Sequence, residues 1–323
     1  MRIRRFLILA FCAVCNVSLV AQEFAIPNTE GMNWYKGNTH SHSNQNVGSS
    51  SRNDTLEVAL WYKNHGYQFL IISDIINSTK PEVILKVTDA TFLLIPGLEN
   101  KSFVGSHWIH TNGLNTQGTI YPQIEGTLLD VLQTDIDAIR NLGGIPQIDH
   151  PRYMEGPDRE TIISSKNCSL IEIYNGAVGP KIAEKSGYLS TEMDWDYLLT
   201  CGKQMFGLAV DDDSRPGRGW VVVRAKNLNA EEICSNLEKG LFYASSGVEI
   251  IDVQVEPKRI TIEIKRESNT SYKTCFISEN GTQLFLTEKN PAVFELKEDV
   301  KYVRAKVMDS NGNAAWIQPV FIH

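Results

Sequence analysis

Cysteine is scarce in this 323-residue sequence, with six in all. Cys12 and Cys15 fall in an N-terminal apolar stretch, while Cys168, Cys201, Cys234 and Cys275 are widely spaced and form no CxxC pair. That pattern argues against thiolate chelation of a metal. Positive charge is also short: 31 Lys and Arg face 38 Asp and Glu, a formal net of −7 at pH 7. Such a balance argues against nonspecific binding of nucleic acid, whose phosphates call for a basic face. The apolar stretch at 6–14 is well short of the roughly 20 residues that a spanning helix needs, so no stable membrane span is expected. Internal repeats and low-complexity linkers are missing too, which sets aside solenoids and flexible arrays.

Arg2, Arg4 and Arg5 precede the apolar stretch, and Leu19-Val20-Ala21 offers small-residue cleavage before Gln22. Residues 1–21 therefore read as a secretory signal peptide, and the protein as secreted or periplasmic. A lipoprotein reading on Cys15 is weaker, because Val14 stands where a small residue is expected. Removing three arginines from 31 basic residues leaves 28 against 38 acidic, a net of −10. An exported location permits a disulfide among the remaining four cysteines, with the pairing open.

From about Trp34 to Ser246, apolar strand-like runs alternate with helix-like segments. Helices are expected at 55–65, 127–142, 194–201 and 230–239, the first two closed by Gly66 and by Gly143-Gly144. Near Gly247 the texture changes to short alternating runs at 248–255, 259–265, 272–278, 292–296 and 301–308, parted by Pro257, Asn280-Gly281, Asn290-Pro291 and Asn311-Gly312. The fold class is thus α/β, a parallel barrel or doubly wound sheet over 22–246, followed by a small antiparallel β-sandwich over 247–323.

Ligand-type residues collect where these strands end. His40 and His42, one residue apart, leave an extended strand on the same side and can grip one ion. Leu70-Ile71-Ile72-Ser73 ends in Asp74, Leu93 to Leu98 in Glu99, Gly144 to Ile148 in Asp149-His150, and Phe206 to Val210 in Asp211-Asp212-Asp213. His110 joins the set with His107 as its competitor, whereas His65 sits at a helix end and His323 at the terminus. An HxH pair, a glutamate closing one strand, a His-Pro and an aspartate cluster are jointly improbable as mere packing. Imidazole and carboxylate together suit zinc, manganese or iron.

The order and context of these motifs resemble the PHP (polymerase and histidinol phosphatase) superfamily over about residues 34–246, specifically its secreted branch similar to carbaryl hydrolase. The resemblance implies a distorted (β/α)7 barrel with metals at the C-terminal ends of its strands. Carried over residue by residue, it implies His40, His42, Glu99 and Asp212 as ligands of one ion and Glu99, His110 and His150 as ligands of another. Ser214 stands where that pattern has a histidine, Ser73-Asp74-Ile75 replaces Thr-Asp-His, and no third histidine follows His42 before His65. These three losses fall on one site, so two divalent ions bridged by Glu99 are expected in place of three.

Asp74 and Asp211 are left as candidates to orient His40 or His150, or to take a proton from water. Arg152, Arg215 and Arg218 follow the His150 and Asp212 motifs and suit a phosphate or carboxylate, and Asn175 is placed to face the same pocket. The leading expectation is a secreted metal-dependent phosphoesterase acting on a small molecule. The alternatives are a carboxylic ester or carbamate hydrolase on the same centre, and a binding protein in which turnover has lapsed.

Overall fold

A computed structural model describes residues 29–44, 53–75, 78–177, 191–213, 216–297 and 299–322. The expected signal peptide at 1–21, Ser214 and Arg215 lie outside them. The described residues contain no helix long and apolar enough to cross a membrane.

Strand β1 (Asn33–Asn38) leads to helix α1 (Thr55–Asn64), β2 (Phe69–Ile72), α2 (Pro81–Val87) and β3 (Leu93–Val104). Next come β4 (His107–Leu114), α3 (Leu128–Asn141), β5 (Ile145–Ile148), α4 (Arg159–Ser164), β6 (Leu170–Asn175), α5 (Thr191–Thr200) and β7 (Phe206–Val210). Then β8 (Trp220–Ala225) and α6 (Ala230–Glu238) lead to an all-β tail. It comprises β9 (Phe242–Ser245), β10 (Ile250–Glu256), β11 (Arg259–Ile264), β12 (Tyr272–Ser278), β13 (Thr282–Thr287), β14 (Ala292–Glu295), β15 (Tyr302–Asp309) and β16 (Ala314–Phe321). The mixed α/β class with an antiparallel extension is therefore what the chain adopts. Helices start where local chemistry dictates: Asp54 and Glu57, and likewise Thr127 and Asp130, satisfy each other's free backbone N–H groups as capping boxes.

One 13-stranded sheet runs in the order β13-β12-β15-β16-β9-β8-β1-β2-β3-β4-β5-β6-β7. Parallel pairs join β1 to β2, β2 to β3, β5 to β6 and β6 to β7. A difference from uniform βα alternation comes at β4. Gly105, at φ +62°, and Ser106 turn the chain straight back, and a turn that short can only pair strands antiparallel. The β7 edge of the curled sheet meets two of its inner strands, β16 and β1, through side chains. Both amide groups of Gln318 in β16 bond the backbone of Gly207 in β7 at 2.8 Å, and the Asn38 amide donates to Asp211 at 2.7 Å. This closes a barrel-like wall without a continuous ladder.

Strand β9 pairs with both β8 and β16, so the sheet passes residue 247 without a break. The three-stranded sheet β10-β11-β14 stands beside it. Alternation along β2 feeds two cores. Phe69 and Ile71 pack with Ile136, Trp195 and Leu237 of the helices, while Leu70 and Ile72 pack with Tyr62 of α1 and with Ile262 and Phe276 of the tail. All four cysteines that the structure describes are free thiols, so no disulfide forms among them.

The tail grips α5 through charge. Arg304 of β15 is 1 % exposed and binds Asp196 bidentately at 2.6 Å, with Glu192 at 3.1 Å and the Trp195 ring beneath its guanidinium at 4.8 Å. Glu192 and Asp196 are one helical turn apart and share a face. Asp194, two residues from each, pairs with Arg152 of the loop after β5.

Candidate metal centre

The strands β1, β2, β3, β5, β6 and β7 run in one direction, and their C-terminal ends converge on one buried cluster. Beyond β1 the chain bends at Thr39 and carries His40 and His42 side by side, while Ser41 offers its carbonyl to Ser73 N–H at 2.9 Å. Asp212 sits just past β7 at φ +50°, a left-handed conformation uncommon for aspartate. Its N–H donates to the His40 carbonyl at 3.0 Å, and the turn folds its carboxylate back over both histidines. Local strain of this kind persists where the surroundings hold it.

All six ligands expected from the sequence are brought together. The Nε2 atoms of His40 and His42 are 3.2 Å apart, and Asp212 Oδ1 lies 3.0 Å from each. Glu99 Oε2 is 3.4 Å from His42 Nε2. On the other side, Glu99 Oε1 is 2.8 Å from His110 Nδ1 and 4.0 Å from His150 Nε2, which is itself 3.8 Å from Asp212 Oδ2. Four overlapping donor groups can be drawn, His40-His42-Asp212, Glu99-His110-His150, His40-His150-Glu172 and His40-Glu99-Asp149; Glu99 and Asp212 each reach histidines of the first two. His107 points elsewhere, its Nδ1 2.7 Å from the Glu155 carbonyl oxygen.

These residues fit divalent ions on their own chemistry. Both oxygens of Glu99, both ring nitrogens of His110 and Nδ1 of His42 are buried without a hydrogen bond. Glu99 Oε1 lies 2.8 Å from His110 Nδ1 and Oε2 lies 3.0 Å from Lys101 Nζ, so the carboxylate stands among nitrogens on both sides. Buried polar atoms left without a hydrogen bond cost about 1–3 kcal/mol each, and a cation satisfies several at once. Burial lowers the pKa of His40, yet the charges of Asp212, Glu172 and Asp149 outweigh it and hold the ring well above the ordinary histidine range. For Glu99 burial raises the pKa, but His110 and His40 overcome it and hold the carboxyl well below the usual range. Asp149 is pushed well above that range by burial and by Glu172.

The carboxylate that orients His40 is neither Asp74 nor Asp211. It is Glu172, whose Oε1 lies 2.6 Å from His40 Nδ1. Glu172 also accepts from His150 N–H at 3.0 Å and from the amides of Gln147 and Asn175 at 2.9 Å. Asp74 accepts from the N–H and hydroxyl of Ser43 and comes only within 4.0 Å of His42 Nδ1. Asp211 takes the amide of Asn38, the hydroxyl of Tyr62 and the N–H groups of Arg218 and Gly219, and burial pushes it up to about 6. With four donors upon it, Asp211 ties β1, α1 and β8 together beneath the centre. The signal for Glu172 was present, since it is the lone charge in the apolar strand Leu170–Asn175.

Asn175 is where expected, its amide 3.0 Å from Asp212 Oδ2. The arginines are placed differently. Arg152 is held by both oxygens of Asp194, which takes up the planar fork expected to meet an anion. Arg218 lies 3.2 Å from the Gly176 carbonyl oxygen and 3.4 Å from Asp213. Among the described residues, Lys101 brings a cation beside the donors, 3.0 Å from Glu99 Oε2, and sequence reasoning passed it over. Ile75, standing for the expected histidine, makes a backbone bridge to Glu99.

Glu172→Gln is expected to weaken metal binding by about 10- to 100-fold, because the neutral amide no longer fixes the His40 ring or its tautomer. Competition with a chromogenic chelator measures it, and an affinity within twofold of the parent would show that Glu172 has no such role.

No family model matches the chain, and no curated sequence matches it. Among solved structures, it resembles a two-domain protein of Bacteroides vulgatus described as containing a predicted PHP-like metal-dependent phosphoesterase. That likeness has a TM-score of 0.49 and 15 % identity, and covers 88 % of this chain and 93 % of that one. It also resembles a lesion-specific endonuclease of Pyrococcus furiosus, with a TM-score of 0.43, 14 % identity and coverage of 65 % and 56 %. A third is an amidohydrolase from Chromobacterium violaceum, with a TM-score of 0.38, 12 % identity and coverage of 56 % and 88 %. Likenesses of this size describe chain path, and what bears on chemistry is the donor set itself.

Proposed function

We propose that this chain is an exported, metal-dependent hydrolase of small phosphate esters that holds two divalent ions, zinc, manganese or iron. The observation that carries the reading is Glu99, which turns one buried, unbonded oxygen toward His110 and His150 and the other toward His40, His42 and Asp212. When bound, such a pair of ions supplies an ionised water near neutral pH and positive charge against the phosphoryl oxygens.

The chain's own residues do the rest. Glu172 fixes the His40 ring through Nδ1, leaving Nε2 free toward the centre, and Asn175 steadies Asp212 from behind. Lys101 brings an ammonium to the same face, where it offsets charge on a phosphoryl group. Every donor precedes residue 247, so 22–246 carries the chemistry and 247–323 supports it. The formal net charge of −7 favours a small ester over nucleic acid as substrate.

Turnover of p-nitrophenyl phosphate is expected to stop on chelation and return with manganese or zinc. Hydrolysis of p-nitrophenyl acetate in place of the phosphate moves the assignment to acyl esters and carbamates. Metal bound tightly with no turnover of phosphate, diester or acyl substrate overturns the enzyme and leaves a binding protein.

A further inference from the structure

We propose that Phe103 and Trp108 form a stacking platform for a planar leaving group, so that the phosphate esters taken by this centre are aryl esters. The inference rests on the hydrolase reading and adds the substrate class. It comes from the register of the β3–β4 hairpin, where Glu99 lies opposite Asn112, Lys101 opposite His110 and Phe103 opposite Trp108. Cross-strand partners share a face, as do alternate residues along each strand. The face that carries Glu99 and His110 therefore continues outward through Lys101 to an aromatic pair.

The spacing suits one small molecule. Alternate residues of a strand are about 7 Å apart, close to the length of a phenyl phosphate from an outer phosphoryl oxygen to the far edge of its ring. The Trp108 ring centroid lies 6.0 Å from that of His110, edge to face, and Phe103 lies 5.3 Å from Trp108 at a 38° tilt. Tyr153 closes the other flank, 5.2 Å from His150 and 6.3 Å from His110. Phe103 remains 37 % exposed and Met154, beside Tyr153, 44 % exposed, leaving apolar surface open next to a charged centre. A mostly apolar wall with few polar groups at one end is the usual make-up of a small-molecule site. Polar leaving groups such as sugars gain little from such a wall, whereas an aromatic ring stacks on it.

The test uses the full chain loaded with metal and two ligands that cannot be hydrolysed, phenylphosphonate and methylphosphonate, with calorimetry as the readout. Phenylphosphonate is expected to bind at least about tenfold more tightly. Trp108→Ala should erase that preference without changing the affinity for methylphosphonate, and Trp108→Phe should keep most of it. Equal affinities in the parent, no binding of either ligand, or a preference that survives both Trp108→Ala and Phe103→Ala would overturn the platform. Turnover rates for phenyl and ethyl phosphate separate this proposal from the one beneath it. A ring preference in binding with no ester hydrolysed sinks the hydrolase and leaves the platform standing. Equal turnover of both esters, unchanged in Trp108→Ala, sinks the platform and leaves the hydrolase.

Discussion

Glu99→Ala is expected to lower kcat by about a thousandfold or more and to reduce bound metal from two ions to one or none. The carboxylate is buried and touches His110 at 2.8 Å on one side and His42 at 3.4 Å on the other, whereas Asp212, which also spans the two groups, meets His40 and His42 at 3.0 Å and His150 at 3.8 Å. Losing it removes the shared ligand and with it the charge stabilisation of a paired site, worth several kcal/mol. At about 1.4 kcal/mol per factor of ten, three such factors correspond to roughly 4 kcal/mol. Elemental analysis of the purified variant, together with single-turnover kinetics, reads both effects. Retention of two equivalents of metal would refute the bridging role, and retention of metal with full activity would refute the centre. Circular dichroism should show the fold intact, because Glu99 N–H still bonds the Asp74 carbonyl at 3.2 Å whatever the side chain.

The second large effect is on stability. Arg304→Met is expected to cost about 3–5 kcal/mol, because it leaves Asp196 charged and enclosed without its cation. The guanidinium lies between β15 and α5, and neighbours reinforce it: Lys306 pairs with Glu192 at 2.6 Å, and the Tyr302 hydroxyl reaches Asp196 at 3.1 Å. Breaking one side of a buried pair differs from replacing the pair. The double variant Arg304→Met, Asp196→Leu should therefore recover much of the loss. Equilibrium urea unfolding of metal-free protein measures both. A single variant within about 1 kcal/mol of the parent, or a double variant no better than the single, would show the cluster to be energetically idle. Since Asp194 on the same helix holds Arg152, two residues beyond His150, weakening this grip should also loosen the second donor group.

Much of the site was legible because its signals are local. An HxH pair, a glutamate after an apolar run and a His-Pro after another can each be read within eight residues, although the strand expected to end at Glu99 runs on to Val104, and burying such groups without a partner is costly enough to make them conspicuous. The helices α1 and α3 were legible for the same reason, whereas α2 and α4 were not anticipated. The capping residues Asp54 and Thr127 stand next to the segments they start, and Gly66 and Gly143 at φ +79° and +76° close them. The β3–β4 hairpin was harder, because its eight-residue second strand carries two histidines, an asparagine and a glycine among few apolar residues. Its two-residue turn at Gly105-Ser106 was the available signal.

The sequence by itself determined which side chains would gather at the strand ends and that they were a nitrogen and oxygen donor set, since these follow from residue type and from strand alternation. Only the tertiary structure decided their partners. Glu172 and not Asp74 orients His40 across 132 residues, Arg152 is taken by Asp194 while Lys101 comes beside Glu99, and the tail continues the sheet of the barrel. The reason is physical: hydrogen bonds and ion pairs form or fail within about an ångström, and separations between residues far apart in the chain are set by how the whole sheet curls and packs.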